Sequence, residues 1–141
     1  MGRLPRRHAA GHVILVDSSV WIDYFNGVPT RETDLLDSYL GIEPLLTGDL
    51  ILTEVLQGFR EDRDVRRAKS ALETLTFQPM VGREIALASA QNYRKLHALG
   101  LTVRKTIDVI IATFCIDGGH RLLHCDRHFS LMEKPLGLRM V

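Results

Sequence analysis

Four consecutive aliphatic residues, Val13-Ile14-Leu15-Val16, run directly into Asp17-Ser18-Ser19. An unbroken apolar run of that length fits a strand buried on both faces, as in the middle of a parallel sheet. After it the hydrophobic period changes. Trp21, Ile22, Tyr24 and Phe25 fit a short helix that Ser18 or Ser19 can cap and Asn26-Gly27 can stop. Leu35, Leu36, Tyr39 and Leu40 then recur at helical spacing as far as Gly41, behind a loose capping pattern at Thr30–Thr33. Residues 42–47 read as a short strand or a loop, and Gly48-Asp49 opens a mostly apolar helix with Asp49 as its expected N-cap.

The second half repeats the alternation. An arginine-rich helix over 60–74 buries Val65, Ala68, Ala71, Leu72 and Leu75, and a brief strand lies near Thr76–Gln78. The segment 83–99 is a long helix stopped by Gly100. From Thr106, its expected N-cap, the positions Ile107, Ile110, Ile111, Phe114 and Cys115 trace a core-facing stripe that ends at Gly118-Gly119. Residues 121–124 form another strand, followed by a last helix over 127–133 and an edge strand over 135–141. Strands alternating with helices predict an α/β protein: a three-layer α/β/α sandwich with a central parallel sheet of four to five strands.

Composition adds bounds to this picture. With 141 residues, 45% hydrophobic and 25% charged, the chain is expected to be one soluble domain with a proper core. No apolar run approaches the ~18–20 residues of a membrane span. Cys115 falls on the apolar stripe and Cys125 stands beside Asp126, so no disulfide framework is expected and a reducing cytoplasm is the natural compartment. Residues 1–12 read as a disordered arm, an upstream start-site extension or a cloning remnant, with the folded domain over 13–141. Three of the 18 basic residues lie in that arm, against none of the 17 acidic ones, so the body is slightly acidic. A net charge of +1 gives no global attraction to nucleic acid, and any basic binding surface has to be local.

The chemistry rests on four acids. In a parallel sheet, the C-terminal end of each strand and the N-terminal end of the next helix share one edge, where such folds bind ligands. Asp17 and Asp126 each follow a strand, Asp108 is in the first turn of its helix, and Glu54 in the second turn of its own can reach back. Taken singly, Asp108 suits a helix dipole and Asp126 an N-cap, while Glu54 in so apolar a helix is costly unless paired. Together they form a carboxylate cluster whose oxygen ligands favour Mg²⁺ or Mn²⁺ over zinc. Two such ions about 3.5–4 Å apart are a known device for in-line phosphodiester hydrolysis, which leaves a 5′-phosphate and a 3′-hydroxyl. Arg104, Lys105 and Arg127 are expected at the same edge, where they could hold a polyanion; the arginines of 60–69 read as a solvated face.

Four segments carry these acids: Val16-Asp17-Ser18-Ser19-Val20-Trp21-Ile22-Asp23, Thr53-Glu54-Val55-Leu56-Gln57-Gly58, Thr106-Ile107-Asp108-Val109-Ile110-Ile111-Ala112 and Leu122-Leu123-His124-Cys125-Asp126-Arg127-His128-Phe129. In succession they resemble the motifs of the PIN domain, and within that family the VapC-type toxins of bacterial toxin–antitoxin pairs. Their order, their intervals and the total length fit over about residues 13–141. The resemblance implies a ribonuclease dependent on Mg²⁺ or Mn²⁺, with Asp17, Glu54, Asp108 and Asp126 at the metal site and Ser19 as a supporting hydroxyl. It also implies a cognate VapB-type antitoxin that blocks the acidic pocket, and a homodimer. Trp21, Tyr24 and Phe25 could serve either partner or the core. Two positions depart from the family pattern: His124 stands where many relatives have a small hydroxyl residue, and His128 where some have another acid. A receiver-like signalling domain would instead show adjacent acids after the first strand and a strand-end lysine near the C-terminus, which this sequence lacks. A metal-free binding module with structural acids is the remaining alternative. Neither alternative would cut RNA.

Overall fold

The computed structural model describes residues 13–141, so the expectations for residues 1–12 lie outside the described residues. Four parallel strands, β1 (Ile14–Val16), β2 (Leu45–Gly48), β3 (Thr76–Gln78) and β4 (Arg121–Leu123), are ordered β3-β2-β1-β4 with helices on both sides. The helices are α1 (Ser18–Phe25), α2 (Arg31–Tyr39), α3 (Asp49–Gln57), α4 (Asp62–Leu72), α5 (Gly82–Ala98), α6 (Thr106–Gly118), α7 (Arg127–Ser130) and α8 (Glu133–Leu136). The aliphatic run of β1 pairs on both edges, Ile14 opposite Leu45 and Arg121, and Leu15 and Val16 are wholly buried. Chain order reverses between β1 and β4. That reversal leaves a crevice beyond the strand ends, a switch point of the kind where parallel sheets bind ligands.

The C-terminal segment departs from expectation. Pro135 is taken into α8, and Gly137 closes that helix in the left-handed region at φ 75. That helix and turn shorten the pairing to a single parallel bridge between Leu122 and Met140, and the sheet has four strands among the described residues. The last helix likewise divides into α7 and α8.

Capping corrects three further expectations. Asp17, not Ser18 or Ser19, caps α1, its carboxylate accepting the Ser19 N–H. Gly48 rather than Asp49 precedes α3, and the Asp49 carboxylate accepts the N–H groups of Leu50 (2.9 Å) and Met80 (3.0 Å), tying α3 to the loop after β3. Lys105 rather than Thr106 precedes α6. Thr30 and Thr33, by contrast, form a full capping box on α2.

Helix α6 is buried nearly all round, from Asp108 to Cys115, and its neighbour α5 is fixed to it by Asn92 donating to Thr113 Oγ1 at 2.9 Å. Trp21 is 0% exposed, so it belongs to the core and is no partner surface; Tyr24 and Phe25 are half-buried against the same core.

Gly48 has an extended backbone that any residue adopts, yet a Cβ there would stand 2.6 Å from the Gln78 carbonyl oxygen and run into the buried Met80 side chain. Gly48→Ala should therefore cost about 1–3 kcal/mol by overpacking alone, read as a lower urea midpoint at unchanged slope. Its target is the junction that starts α3 and so places Glu54.

Candidate active site

The switch point gathers carboxylates from four elements. β1 delivers Asp17, which is 4% exposed, and its backbone N–H is bonded to the Leu123 carbonyl at 2.9 Å, so the ends of β1 and β4 move together. Ser19 reinforces that junction. Its hydroxyl donates to Asp17 Oδ2 at 2.6 Å and accepts the Cys125 N–H at 3.4 Å. Helix α3 supplies Glu54, whose Oε1 accepts from Ser18 Oγ at 3.0 Å. Helix α6 supplies Asp108, 5% exposed, and Asp126 sits at the mouth of α7, capping it by accepting the His128 N–H at 2.9 Å.

All four acids line one cavity of about 460 Å³, together with Ser18, Ser19 and Lys105. Arg104 and Arg127 do not enter it. They line a neighbouring cavity of about 610 Å³ with Thr102, His128 and Leu131. The predicted cations therefore divide: Lys105 faces the acids and the two arginines flank them. Ser18 was expected only as a helix cap; its bond to Glu54 depends on α1 and α3 being side by side, which no local spacing reveals.

Crowding shows in the proton affinities. Burial first, then the carboxylates of Asp17, Asp126 and Glu54, push the Asp108 carboxyl up to about 7, with Lys105 opposing. Burial also raises Asp17, against the Ser19 hydrogen bonds that lower it. Glu54 is raised by burial as well, with Ser18 opposing. Asp108 Oδ2 is buried and has no hydrogen-bond partner among the described residues. A buried carboxylate oxygen left in that state is costly, and a cation removes the cost. One donor atom each from Asp108, Asp126 and His128 lie within 4.8 Å of one another, which fits a divalent ion.

His124 and Cys125 take supporting positions. His124 Nδ1 accepts the Asp126 N–H at 3.1 Å, while Nε2 lies 2.7 Å from Met140 Sδ. Burial lowers its pKa, against the nearby carboxylates of Asp17 and Asp126. The Cys125 thiol is pushed up to about 11 by burial and then by Glu32 and Asp23.

A four-stranded parallel sheet of this order, with acids at the switch point, is the architecture of a PIN domain. The chain belongs to that family, whose model matches residues 14–135. Within it, the chain is 26% identical over 132 residues to the VapC ribonuclease Mb1587 of Mycobacterium bovis and, equally, to ribonuclease VapC11 of Mycobacterium tuberculosis. The alignment takes in 90% of this chain and 96% of each relative. The fold is also that of two solved assemblies. One is VapBC2 from Rickettsia felis bound to a promoter DNA fragment, with TM-score 0.69, 14% identity, and coverage of 92% of this chain and 97% of that one. The other is VapBC-1 from nontypeable Haemophilus influenzae, with TM-score 0.69, 15% identity, and coverage of 92% and 96%.

Proposed function

We propose that the chain is a ribonuclease toxin dependent on Mg²⁺ or Mn²⁺, which hydrolyses RNA to 5′-phosphate and 3′-hydroxyl ends and is neutralised by a VapB-type antitoxin. The observation that carries this reading is the convergence of Asp17, Glu54, Asp108 and Asp126 on one cavity, with a buried Asp108 oxygen left unpartnered. The ribonuclease names of its relatives and the VapBC assemblies that share its fold support the same reading. A homodimer in the cytoplasm is the expected setting. No helix among the described residues is long and apolar enough to cross a membrane.

When bound, a divalent cation supplies the positive charge and Lewis acidity that phosphodiester attack needs. The four acids would hold it. Ser19 fixes Asp17 and Ser18 fixes Glu54, so two of the ligands are positioned before any ion arrives. Lys105 sits at the acids and balances part of their charge. Arg104 and Arg127, in the flanking cavity, are placed to hold backbone phosphates of RNA next to the acids, which would otherwise repel them. A receiver-like reading finds no support in this arrangement, since β4 leads to His124, Cys125 and Asp126 and no lysine.

The test is incubation of the purified chain with labelled RNA and Mn²⁺ or Mg²⁺. Cleavage should disappear in EDTA and return with excess cation, leaving 5′-phosphorylated fragments. Cutting that persists in EDTA would refute the metal requirement.

A further inference from the structure

Asp126 and His128 stand two residues apart at the start of α7, and the backbone draws their side chains together. Asp126 Oδ1 accepts the His128 N–H at 2.9 Å and lies 3.3 Å from His128 Nδ1. The second approach is within ion-pair range but misaligned for a hydrogen bond, and Nδ1 has no hydrogen-bond partner among the described residues. Asp108 Oδ2, on a side chain only 5% exposed, is orphaned in the same way. Two buried polar atoms without partners in one small cluster are rare in a folded protein and point to a missing ligand.

Geometry and chemistry agree on what that ligand is. Donors to a small divalent ion sit about 2.0–2.2 Å from it, so opposite donors stand a little over 4 Å apart. The donor atoms of Asp108, Asp126 and His128 are already within 4.8 Å of one another, and small side-chain rotations would close them on one ion. The other nearby imidazole is engaged elsewhere: His124 holds the Asp126 N–H through Nδ1 and faces Met140 Sδ through Nε2.

We infer that His128 is a nitrogen ligand of the cation site, which therefore takes a first-row transition ion such as Mn²⁺ in preference to Mg²⁺. The inference rests on the proposed cation-dependent reading and adds to it one ligand and a preference between ions. Carboxylates serve both ions, whereas imidazole suits transition metals, and Mg²⁺ keeps to hard oxygen donors and gives up water reluctantly. His128 also lines the cavity of Arg104 and Arg127, so its ring stands between the acids and the flanking cations.

The test measures binding, apart from RNA cleavage. Mn²⁺ and Mg²⁺ would be titrated into the full chain, into His128→Ala and into His128→Asp, with pulsed electron paramagnetic resonance of the bound Mn²⁺ and circular dichroism to show each variant folded. The wild-type spectrum should carry the ¹⁴N coupling of one imidazole, absent from both variants. His128→Ala should weaken Mn²⁺ binding by roughly 10–100-fold while Mg²⁺ binding changes less than about threefold. His128→Asp should narrow the preference between the two ions. Bound Mn²⁺ without nitrogen coupling, or coupling that survives in His128→Ala, would overturn the inference alone. A wild-type chain that binds neither ion would overturn the cation-dependent reading along with it.

Discussion

Asparagine in place of Asp108 should abolish RNA cleavage and, in the metal-free protein, raise stability. The two effects share a cause. Asp108 is buried among three other carboxylates, and its pKa is pushed up to about 7 from an ordinary 3.8. Below about pH 4 the group is protonated in the folded and unfolded chains alike, and the stability linked to this proton is fully present. As pH rises towards 7 the unfolded chain releases the proton before the folded one does, so that stability is lost, and above about 7 none remains. A shift of this size corresponds to about 4 kcal/mol before screening. Water entering the cavity reduces it, and about 1–2 kcal/mol is the expected gain for Asp108→Asn at pH 8, a rise in Tm of about 3–6 °C. The gain should shrink as pH falls from 7 and vanish only below about pH 4. Saturating Mn²⁺ should reverse the order, because cation binding stabilises only the chain that holds it, by about 2.7 kcal/mol at a hundredfold excess over Kd. Cleavage should fall about a thousandfold or more, the loss of several kcal/mol of transition-state stabilisation. Asp17→Asn should match it in activity while keeping α1 capped, since asparagine caps a helix as well as aspartate does. A variant that cleaves at more than about a tenth of the wild-type rate would remove Asp108 from the proposed machinery.

The sequence makes the strand-end acids legible and hides their relations. Val13–Val16 declares a central strand because every residue is aliphatic, and parallel topology then carries Asp17, Asp108 and Asp126 to one edge whatever the loops do. The caps were harder to read. Asp17 and Asp49 each accept hydrogen bonds from the backbone, and which residue caps depends on a one-residue shift in where helical dihedrals begin. Pro135 is ambiguous for a related reason, since a proline in the first turn of a short helix looks locally like a break before a strand. His128 shows the deepest limit. Its place two residues after Asp126 is plain in the chain, but its placement beside Asp108 is a tertiary fact, set by α6 and α7 meeting at the crevice.

Removing Trp21 should cost the fold more than any single change considered for the site. The indole is wholly buried one turn after Asp17, stacked on Phe25 at 5.9 Å and meeting Tyr24 edge-on at 6.5 Å. Phe25 in turn meets Phe59 at 6.1 Å and lies under the Arg67 guanidinium at 5.5 Å, so the cluster ties α1 to α4 and to the segment after α3. Trp21→Ala deletes the centre of that cluster and leaves a cavity the size of an indole, a loss of about 3–5 kcal/mol. Trp21→Phe keeps an aromatic plane against Phe25. It also gives up no hydrogen bond, because the indole Nε1 has no partner among the described residues. It should cost only about 1–2 kcal/mol, the volume difference alone. Trp21 is the only tryptophan in the chain, so wild-type unfolding can be followed by its fluorescence and the two variants by circular dichroism. In urea the midpoints should fall in the order wild type, Trp21→Phe, Trp21→Ala, at a common slope. Equal midpoints for Trp21→Ala and the wild type would return this residue to the surface. The loss should also reach the site, because α1 begins at Asp17, and Ser18 and Ser19 in its first turn hold Glu54 and Asp17. Trp21→Ala that remains folded in the cold should therefore bind Mn²⁺ more weakly than Trp21→Phe does, although Trp21 is no ligand itself.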